Sequence, residues 1–249
     1  MQKINFNEFA KRYDELRSAD GGIIRIFLDK IRLQKNSAIL DFGCGTGNYL
    51  NALKNEGFCN LYGIDNSLGM LTQAKNKLGA NFFLGDHHNY PEFFNKFDFI
   101  FLIDVIHLID DIELLIDRFF YSLKWQGAVA IVTQSHDQIN SYFFNKYFPS
   151  VSVVDIARHP SIDKISSAFI NFGFFLKEII SYTQESLLQV NEGYLKKLKE
   201  KCFTFFELIP VEEFDLGIKA FEKDLKEKKS YTASHWGYTI LFFEKRMEL

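Results

Sequence analysis

The stretch Ile39-Leu40-Asp41-Phe42-Gly43-Cys44-Gly45-Thr46-Gly47 decides the fold. An apolar strand ends on Asp41, and three alternating glycines follow, which allow the backbone to turn and to approach a ligand closely because glycine has no Cβ. A helix is predicted to begin directly after this turn. The pattern is typical of a loop that binds an adenosine cofactor, although ordinary strand-to-helix turns also contain glycines.

Two further acidic residues also follow predicted strands. Asp65 comes after the apolar segment 61–64, and Asp86 comes after Gly85 and the segment 81–84. Because the carboxyl ends of parallel strands lie at one edge of an open α/β sheet, we expect Asp41, Asp65 and Asp86 at the edge where such sheets bind ligands. A carboxylate at the position of Asp65 can accept both hydrogen bonds of a ribose diol.

The loop departs from the dinucleotide fingerprint Gly-x-Gly-x-x-Gly. Its third glycine, Gly47, comes one residue early and is followed by Asn48. In addition, Asp41 places an anion at the loop, which favours a ligand ammonium or hydroxyl over a pyrophosphate. The sequence therefore argues against a nicotinamide dinucleotide.

Strands and helices alternate along the first half of the chain, which predicts an α/β fold with a doubly wound, Rossmann-like sheet. An amphipathic helix carrying Phe6, Phe9, Tyr13 and Leu16 precedes the sheet. Further helices are predicted at 22–32, 47–56, 67–77, 111–123 and 161–171. Strands are predicted at 37–41, 60–64, 81–84, 98–103, 127–134, 174–182 and 237–245. Between these elements we expect an aromatic helix ending at Phe148, a loop from Pro149 to Pro160 and helical structure over 184–230.

Four motifs in order resemble a known family: the glycine stretch, Gly63-Ile64-Asp65-Asn66-Ser67-Leu68-Gly69-Met70-Leu71, Gly85-Asp86-His87, and the segment 97–111. Over about residues 5–135 the chain is similar to the class I S-adenosylmethionine-dependent methyltransferases, within them to the small-molecule group typified by ubiquinone and menaquinone biosynthesis enzymes. The resemblance implies a single domain over 1–249 with a seven-stranded, mostly parallel sheet whose last strand is antiparallel. It also implies a helical substrate cap, which we place at about 136–160 and 184–236.

The resemblance also implies a set of residues that bind S-adenosylmethionine. Asp41, Gly43 and Gly45 would hold the methionyl end, and Asp65 would hold the ribose. Asn66 and Met70 would lie on the adenine face, and Asp86, with His87 beside it, would accept from the adenine amino group. Ile103 would line the pocket. Tyr13 resembles the lid tyrosine of the family, whose ring face would attract a sulfonium. Asp104 and Leu108 depart from the family pattern at positions that bear on the substrate.

A general base is needed only if the acceptor arrives as a protonated alcohol or phenol. The candidates are His107, His136, His159 and Asp104, and each histidine has an ordinary structural role as the alternative. Tyr13 is a further catalytic candidate, because its ring face near the sulfonium would be favourable by cation–π attraction, and the alternative is that it only belongs to the apolar face of its helix. Arg17 and Arg158 are candidates for binding a carboxylate of the cofactor or the substrate.

The acceptor is predicted to be a small organic molecule, and an apolar or aromatic one is a hypothesis based on six phenylalanines of the proposed cap, Phe143, Phe144, Phe148, Phe203, Phe205 and Phe206. Nucleic acid is not expected. The net charge is -3, the pI is about 6.1, and nine lysines between 190 and 230 are matched by nine acidic residues.

Cys44, Cys59 and Cys202 fit neither a disulfide framework nor a zinc spacing, so we expect no metal site and a cytoplasmic location. The first 17 residues do not resemble a signal peptide, and the apolar run 99–109 is too short to span a bilayer. Two alternatives remain open at this point. One is a cofactor-binding protein without methyl transfer, serving as a regulator or scaffold, and the other is a methyltransferase for tRNA or protein.

Overall fold

The computed structural model describes residues 6–183, 188–228, 231–233 and 237–246. The helices are α1 (Phe6–Leu16), α2 (Gly21–Lys30), α3 (Asn48–Asn55), α4 (Leu68–Lys77), α5 (Ile112–Ser122), α6 (His136–Asn140), α7 (Ser150–Arg158), α8 (Ile162–Asn171), α9 (Glu192–Lys199) and α10 (Val211–Lys228). The strands are β1 (Ile39–Phe42), β2 (Leu61–Asp65), β3 (Asn81–Leu84), β4 (Phe97–Ile103), β5 (Leu123–Thr133), β6 (Phe174–Thr183), β7 (Leu188–Val190), β8 (Tyr231–Ala233) and β9 (Gly237–Lys245). Among the helices so described, none has the length and the apolar character needed to cross a membrane.

Seven strands form one sheet in the order β3-β2-β1-β4-β5-β9-β6. Strand β1 pairs in parallel with β2 and β4, whereas β9 is antiparallel to β5, which confirms the predicted doubly wound sheet with an antiparallel last strand. The strand order reverses between β1 and β4. Open α/β sheets bind ligands beyond the carboxyl ends of the strands at such a switch point.

Apolar side chains on both faces of the sheet fix these strand ends. All four residues of β1 are buried, as expected for a central parallel strand that is covered by helices on both sides. On one face Phe27 of α2 packs edge-on against Phe99 at 5.2 Å between ring centroids. On the other face Phe119 of α5 packs against Phe42 at 5.4 Å. Each fully buried phenylalanine contributes about 1.5–3 kcal/mol of transfer free energy. The loop after β1 is therefore held on a rigid base.

The described residues separate into two compact units. The sheet unit comprises residues 6–133, 162–180 and 239–246, and the helical unit comprises 134–161 and the described part of 181–238. The helical unit contains α6, α7, α9 and α10, together with the antiparallel pair β7 and β8. That this unit acts as a substrate cap stays a prediction.

The predicted loop between Pro149 and Pro160 is wrong, because α7 occupies residues 150–158. Proline is tolerated at a helix start, and Pro149 is the N-cap residue. Glu213 completes the cap, because its carboxylate accepts hydrogen bonds from Ser150 N (2.8 Å) and Ser150 Oγ (2.5 Å). This partner is distant in sequence, so local pattern gave no sign of the helix.

The prediction of helix throughout 184–230 is also wrong, although 184–187 and 229–230 lie outside the described residues. The segment contains β7, α9, a 3₁₀ turn over Thr204–Glu207 and α10. A new helix begins at Asn191, whose side chain caps α9 by accepting from Tyr194 N at 3.1 Å. Likewise, the predicted aromatic helix ending at Phe148 is the short helix α6 followed by a 3₁₀ turn over Phe143–Lys146.

Candidate functional site

The glycine bend after β1 has the backbone geometry that only glycine adopts at low cost. Gly43, Gly45 and Gly47 have φ angles of 76°, 53° and 75°. A Cβ at Gly43 would lie 2.4 Å from Val105 Cγ2, so a side chain has no room there. The N–H groups of Gly43 and Cys44 donate to the carbonyl of Ile64 at 2.8 and 2.9 Å, which holds the bend against the end of β2.

Asp41 lies at the base of this bend and is 3% exposed. Within the described part of the chain no side chain or backbone group forms a hydrogen bond or ion pair with its carboxylate. Burial raises the pKa of Asp41 well above its ordinary value, and the nearby Asp65 raises it further. A buried carboxylate next to a second acid favours a cationic ligand, which would relieve both causes of the shift.

Asp65 holds the bend from the end of β2. Its Oδ2 accepts from Gly45 N at 2.8 Å, and its Oδ1 accepts from Ser67 N at 2.9 Å. Burial raises the pKa of Asp65, and these two backbone donors act in the opposite direction. Each carboxylate oxygen can accept two hydrogen bonds, so the pair of oxygens can still accept from two ligand hydroxyls.

Helix α1 brings Tyr13 to the same bend. A Cβ at Gly45 would lie 3.8 Å from Cε1 of the Tyr13 ring. The pKa of Tyr13 is raised mainly by burial, Arg17 lowers it, and Asp104, Asp65 and Asp41 raise it further. The tyrosine therefore lies among three carboxylates that come from the ends of β1, β2 and β4.

Two polar residues of α1 that the sequence analysis did not identify, Asn7 and Asp14, attach this helix to the bend and to α4. Asn7 Oδ1 accepts from Ser67 Oγ (2.9 Å) and from Gly69 N (2.8 Å). Asp14 accepts from Thr46 Oγ1 and forms an ion pair of 2.7 Å with Lys77. Burial works to raise the pKa of Asp14, but the hydrogen bonds from Lys77 and Thr46 outweigh it and lower the pKa.

The other predicted cofactor residues occupy neighbouring loops of the sheet unit. Asn66 is exposed at the end of β2, whereas Met70 on α4 is buried and Ile103 at the end of β4 is half-buried. Asp86 Oδ1 accepts from the backbone N–H groups of His88 and Asn89, each at 2.9 Å. These two hydrogen bonds shape the loop. Both use Oδ1, so Oδ2 of Asp86 takes part in neither and can accept from a ligand.

His87 is buried and contacts Asp110, a residue that the sequence analysis did not identify as part of the site. Its Nε2 lies 2.6 Å from Asp110 Oδ1, and Nε2 of the exposed His88 lies 3.0 Å from the same oxygen. Hydrogen bonds from His87 and His88 lower the pKa of Asp110 to about 2. Asp110 lies between the 3₁₀ turn Ile106–Leu108 and α5, so the contact joins two loops of the sheet unit.

The candidate bases belong to different compact units. His107 is half-buried in the 3₁₀ turn after β4, and Asp104 precedes it with a φ of 56°. His136 is the first residue of α6, and its Nε2 donates to the carbonyl of His159 at 2.9 Å. Because a carbonyl only accepts, the neutral ring of His136 has its basic lone pair on Nδ1. His159 is 4% exposed and its Nδ1 donates to the Asp155 carbonyl at 2.8 Å, which holds the ring within the helical unit.

Arg158 was a candidate for binding a ligand carboxylate, but the structure pairs it within the helical unit. Its Nε and Nη2 both lie 2.6 Å from Asp155 Oδ1, and its Nη1 lies 3.1 Å from Thr204 Oγ1. Both side chains of the ion pair are buried. Arg158 therefore stabilises α7 and its surroundings.

The phenylalanines of the proposed cap form the core of the helical unit. Five of the six are buried, Phe144, Phe148, Phe203, Phe205 and Phe206, while Phe143 is half-buried. Phe203 and Phe205 stack at 5.2 Å between ring centroids, and Phe148 packs against Phe206 at 4.9 Å. Packing of the unit accounts for these rings, so they give no evidence of an aromatic acceptor.

Comparison with known proteins identifies the type of fold around this site. Residues 39–127 match a family model described as a methyltransferase domain, and no curated protein matches the sequence. The matched segment contains the glycine bend, Asp65, Asp86 and His107. It ends within β5, before the helical unit begins.

Solved structures extend the likeness to almost the whole chain at low identity. A proposed methyltransferase from an antibiotic biosynthesis pathway of Anabaena variabilis is 21% identical, with a TM-score of 0.74 over 91% of this chain and 98% of that chain. A chain from the complex between the Haloferax volcanii Trm112 methyltransferase activator and a proposed methyltransferase is 15% identical, with a TM-score of 0.68 over 99% and 100%. Phosphoethanolamine N-methyltransferase 2 of Haemonchus contortus, in complex with phosphomonomethylethanolamine and S-adenosylhomocysteine, is 18% identical, with a TM-score of 0.59 over 97% and 58%. These likenesses show the methyltransferase fold.

Proposed function

We propose that the protein is a cytoplasmic methyltransferase that transfers the methyl group of S-adenosylmethionine to a small organic acceptor. The observation that carries this proposal is the buried carboxylate of Asp41 beside a bend of three glycines with positive φ angles. Together with Asp65 and Tyr13 it offers acceptors for an ammonium and a ribose diol, and an aromatic ring for a sulfonium. The residues present therefore fit this cofactor.

Asp41, Asp65 and Tyr13 each have a separate task in this proposal. S-adenosylmethionine, when bound, would supply an activated methyl group, which an oxygen, nitrogen or carbon nucleophile would take by in-line displacement of S-adenosylhomocysteine. Asp41 accepts from the ammonium, with the backbone of Gly43 and Gly45 beside it, and Asp65 accepts from the ribose hydroxyls. Tyr13 covers the glycine bend and keeps water from it.

The adenine is assigned to the next loops of the sheet unit. Asn66 and Met70 would hold its face, Asp86 would accept from its amino group, with His87 beside it, and Ile103 would line the pocket. For a hydroxyl acceptor, His107 of the sheet unit and His136 of the helical unit stay the candidate general bases.

Titration calorimetry with S-adenosylmethionine and S-adenosylhomocysteine tests the cofactor assignment. We expect binding by the wild type and a loss of at least tenfold in affinity after Asp65→Ala. Asp29→Ala, which removes an exposed acid from α2 of the same unit, is the matched control and keeps the affinity. Absence of binding by the wild type, or equal affinities for both variants, would reject the assignment.

Turnover separates this proposal from the second candidate, a cofactor-binding protein that regulates or scaffolds another protein. The Haloferax volcanii neighbour was solved together with a methyltransferase activator, so binding of a partner protein is kept as an outcome of the test. Production of S-adenosylhomocysteine is measured with pools of small alcohols, phenols and amines, and with tRNA and protein extracts. Dependence on a small-molecule pool supports the proposal, whereas tight cofactor binding without turnover supports the second candidate.

A further inference from the structure

Three side chains of the sheet unit present metal-ligating atoms to one point. His87 Nε2, His88 Nε2 and one carboxylate oxygen of Asp110 all lie within 4.8 Å of one another. The two histidines follow β3 in the chain, and Asp110 precedes α5, so two separate loops provide the ligands. This convergence is independent of the glycine bend, but its first loop also carries Asp86 and His87, which the proposed function assigns to the adenine.

The burial of the three groups differs in a way that suits a metal ion. His87 is 5% exposed and is fixed in the protein, whereas the side chains of His88 and Asp110 are 50% and 78% exposed. The present separations of 2.6 and 3.0 Å between nitrogen and oxygen are those of hydrogen bonds. The two exposed side chains can adjust around a shared ion, and solvent gives the ion a way in.

Imidazole nitrogens and a carboxylate oxygen are the ligands that Zn²⁺ and similar first-row divalent ions prefer. We propose that His87, His88 and Asp110 form a three-ligand site for Zn²⁺ or a similar transition-metal ion, with the remaining coordination positions filled by water. The ion would link the loop after β3, which carries Asp86, to the loop before α5.

Binding of the ion requires a change in the tautomer of both histidines. Without metal, each Nε2–H donates to Asp110, whereas a metal takes the Nε2 lone pair and the ring proton moves to Nδ1. His87 Nδ1 is buried, and no described residue accepts from it. A buried donor without a partner weakens binding by roughly ten- to a hundredfold, so we expect a lower affinity than that of closed structural zinc sites.

Calorimetry of the metal-free, full-length protein with Zn²⁺, without cofactor, tests the site. We expect one Zn²⁺ per chain, and a loss of at least tenfold in affinity after His88→Gln or Asp110→Asn. Both changes lie on exposed side chains, so folding is preserved. Glu113→Gln, an exposed acid at the start of α5, is the matched control and retains the wild-type affinity.

The histidine ring resonances provide a second measurement. Nitrogen NMR of the wild type is expected to show the proton of His87 and His88 on Nε2 without metal and on Nδ1 with Zn²⁺. Zinc binding that is unchanged in His88→Gln and Asp110→Asn, or that disappears only when the cysteines are alkylated, would overturn the proposal. So would the absence of binding at millimolar Zn²⁺. S-adenosylhomocysteine binding is measured on the same variants, so a failure of this site is distinguished from a failure of the proposed function.

Discussion

Asp41 in the sheet unit and Asp155 in the helical unit are both almost fully buried, at 3% and 2% exposure, but their surroundings differ. Asp155 forms an ion pair with the guanidinium of Arg158 at 2.6 Å and accepts a hydrogen bond from the hydroxyl of Tyr142 at 3.5 Å. Asp41 has no such partner among the described residues and lies near a second acid. A buried charge paired by its own chain stabilises the scaffold, whereas one left without a partner costs stability and is a candidate for binding a ligand.

Removal of the partner of Asp155 is expected to have the largest effect. Arg158→Met leaves a buried carboxylate without its guanidinium, and we expect the free energy of unfolding to fall by about 3–5 kcal/mol. Urea unfolding measures the loss. Lys146→Met is the control in the same unit, because Lys146 is 51% exposed in its 3.1 Å pair with Asp224 and its loss should cost less than about 1 kcal/mol. Similar small losses for both variants would contradict the scaffold role of Arg158.

The same substitution at the two aspartates tests the comparison directly. Asp41→Asn preserves shape and removes the charge that we assign to the ligand ammonium, so S-adenosylmethionine affinity should fall by about ten- to a hundredfold while the stability of the ligand-free protein does not fall. Asp155→Asn should lower stability, because Arg158 then remains buried without its anion. Calorimetry and urea unfolding on both variants measure the two effects. Loss of stability in Asp41→Asn with unchanged affinity would reverse the assignment of the two residues.

The sequence predicted the parts of the fold and site that local pattern determines. Strand-end acids such as Asp41 and Asp65 follow short apolar runs, and parallel strands place those ends at one edge, so their position could be inferred without coordinates. Tyr13 was assigned by resemblance, and the structure places its ring beside Gly45.

Contacts between residues distant in sequence could not be predicted. The start of α7 depends on Glu213, and α1 is held by the partners of Asn7 and Asp14 in other elements. The two histidines after β3 and Asp110 are likewise brought together only by the fold. The hypothesis of an aromatic acceptor, based on the phenylalanines of the helical unit, lost its support for a different reason. Composition does not distinguish a ring in a core from a ring that lines a pocket.

The raised pKa of Asp41 predicts a pH dependence of the ligand-free protein. Since its pKa is higher in the folded than in the unfolded chain, the folded state holds the proton more tightly, and this contribution to stability is complete below about pH 3.9. It is lost as the pH rises through the folded pKa, with a slope of at most about 1.4 kcal/mol per pH unit for one proton. Urea unfolding from pH 4 to pH 8 should therefore show a steeper decline for the wild type than for Asp41→Asn. Parallel curves would show that Asp41 does not titrate differently in the folded protein.

The smallest effect is expected at Tyr13, whose ring faces the bend without taking part in its hydrogen bonds. Tyr13→Leu removes the ring, and a cation–π contribution of about 1 kcal/mol corresponds to roughly fivefold weaker binding of S-adenosylmethionine. S-adenosylhomocysteine lacks the positive sulfur, so its affinity should change less. Tyr13→Phe retains the ring face and should preserve the ratio of the two affinities, which titration calorimetry measures. An equal loss of affinity for both ligands in Tyr13→Leu would mean that the ring only fills space. Asp41 and Asp65 would then remain as the groups beside the glycine bend that favour a cation.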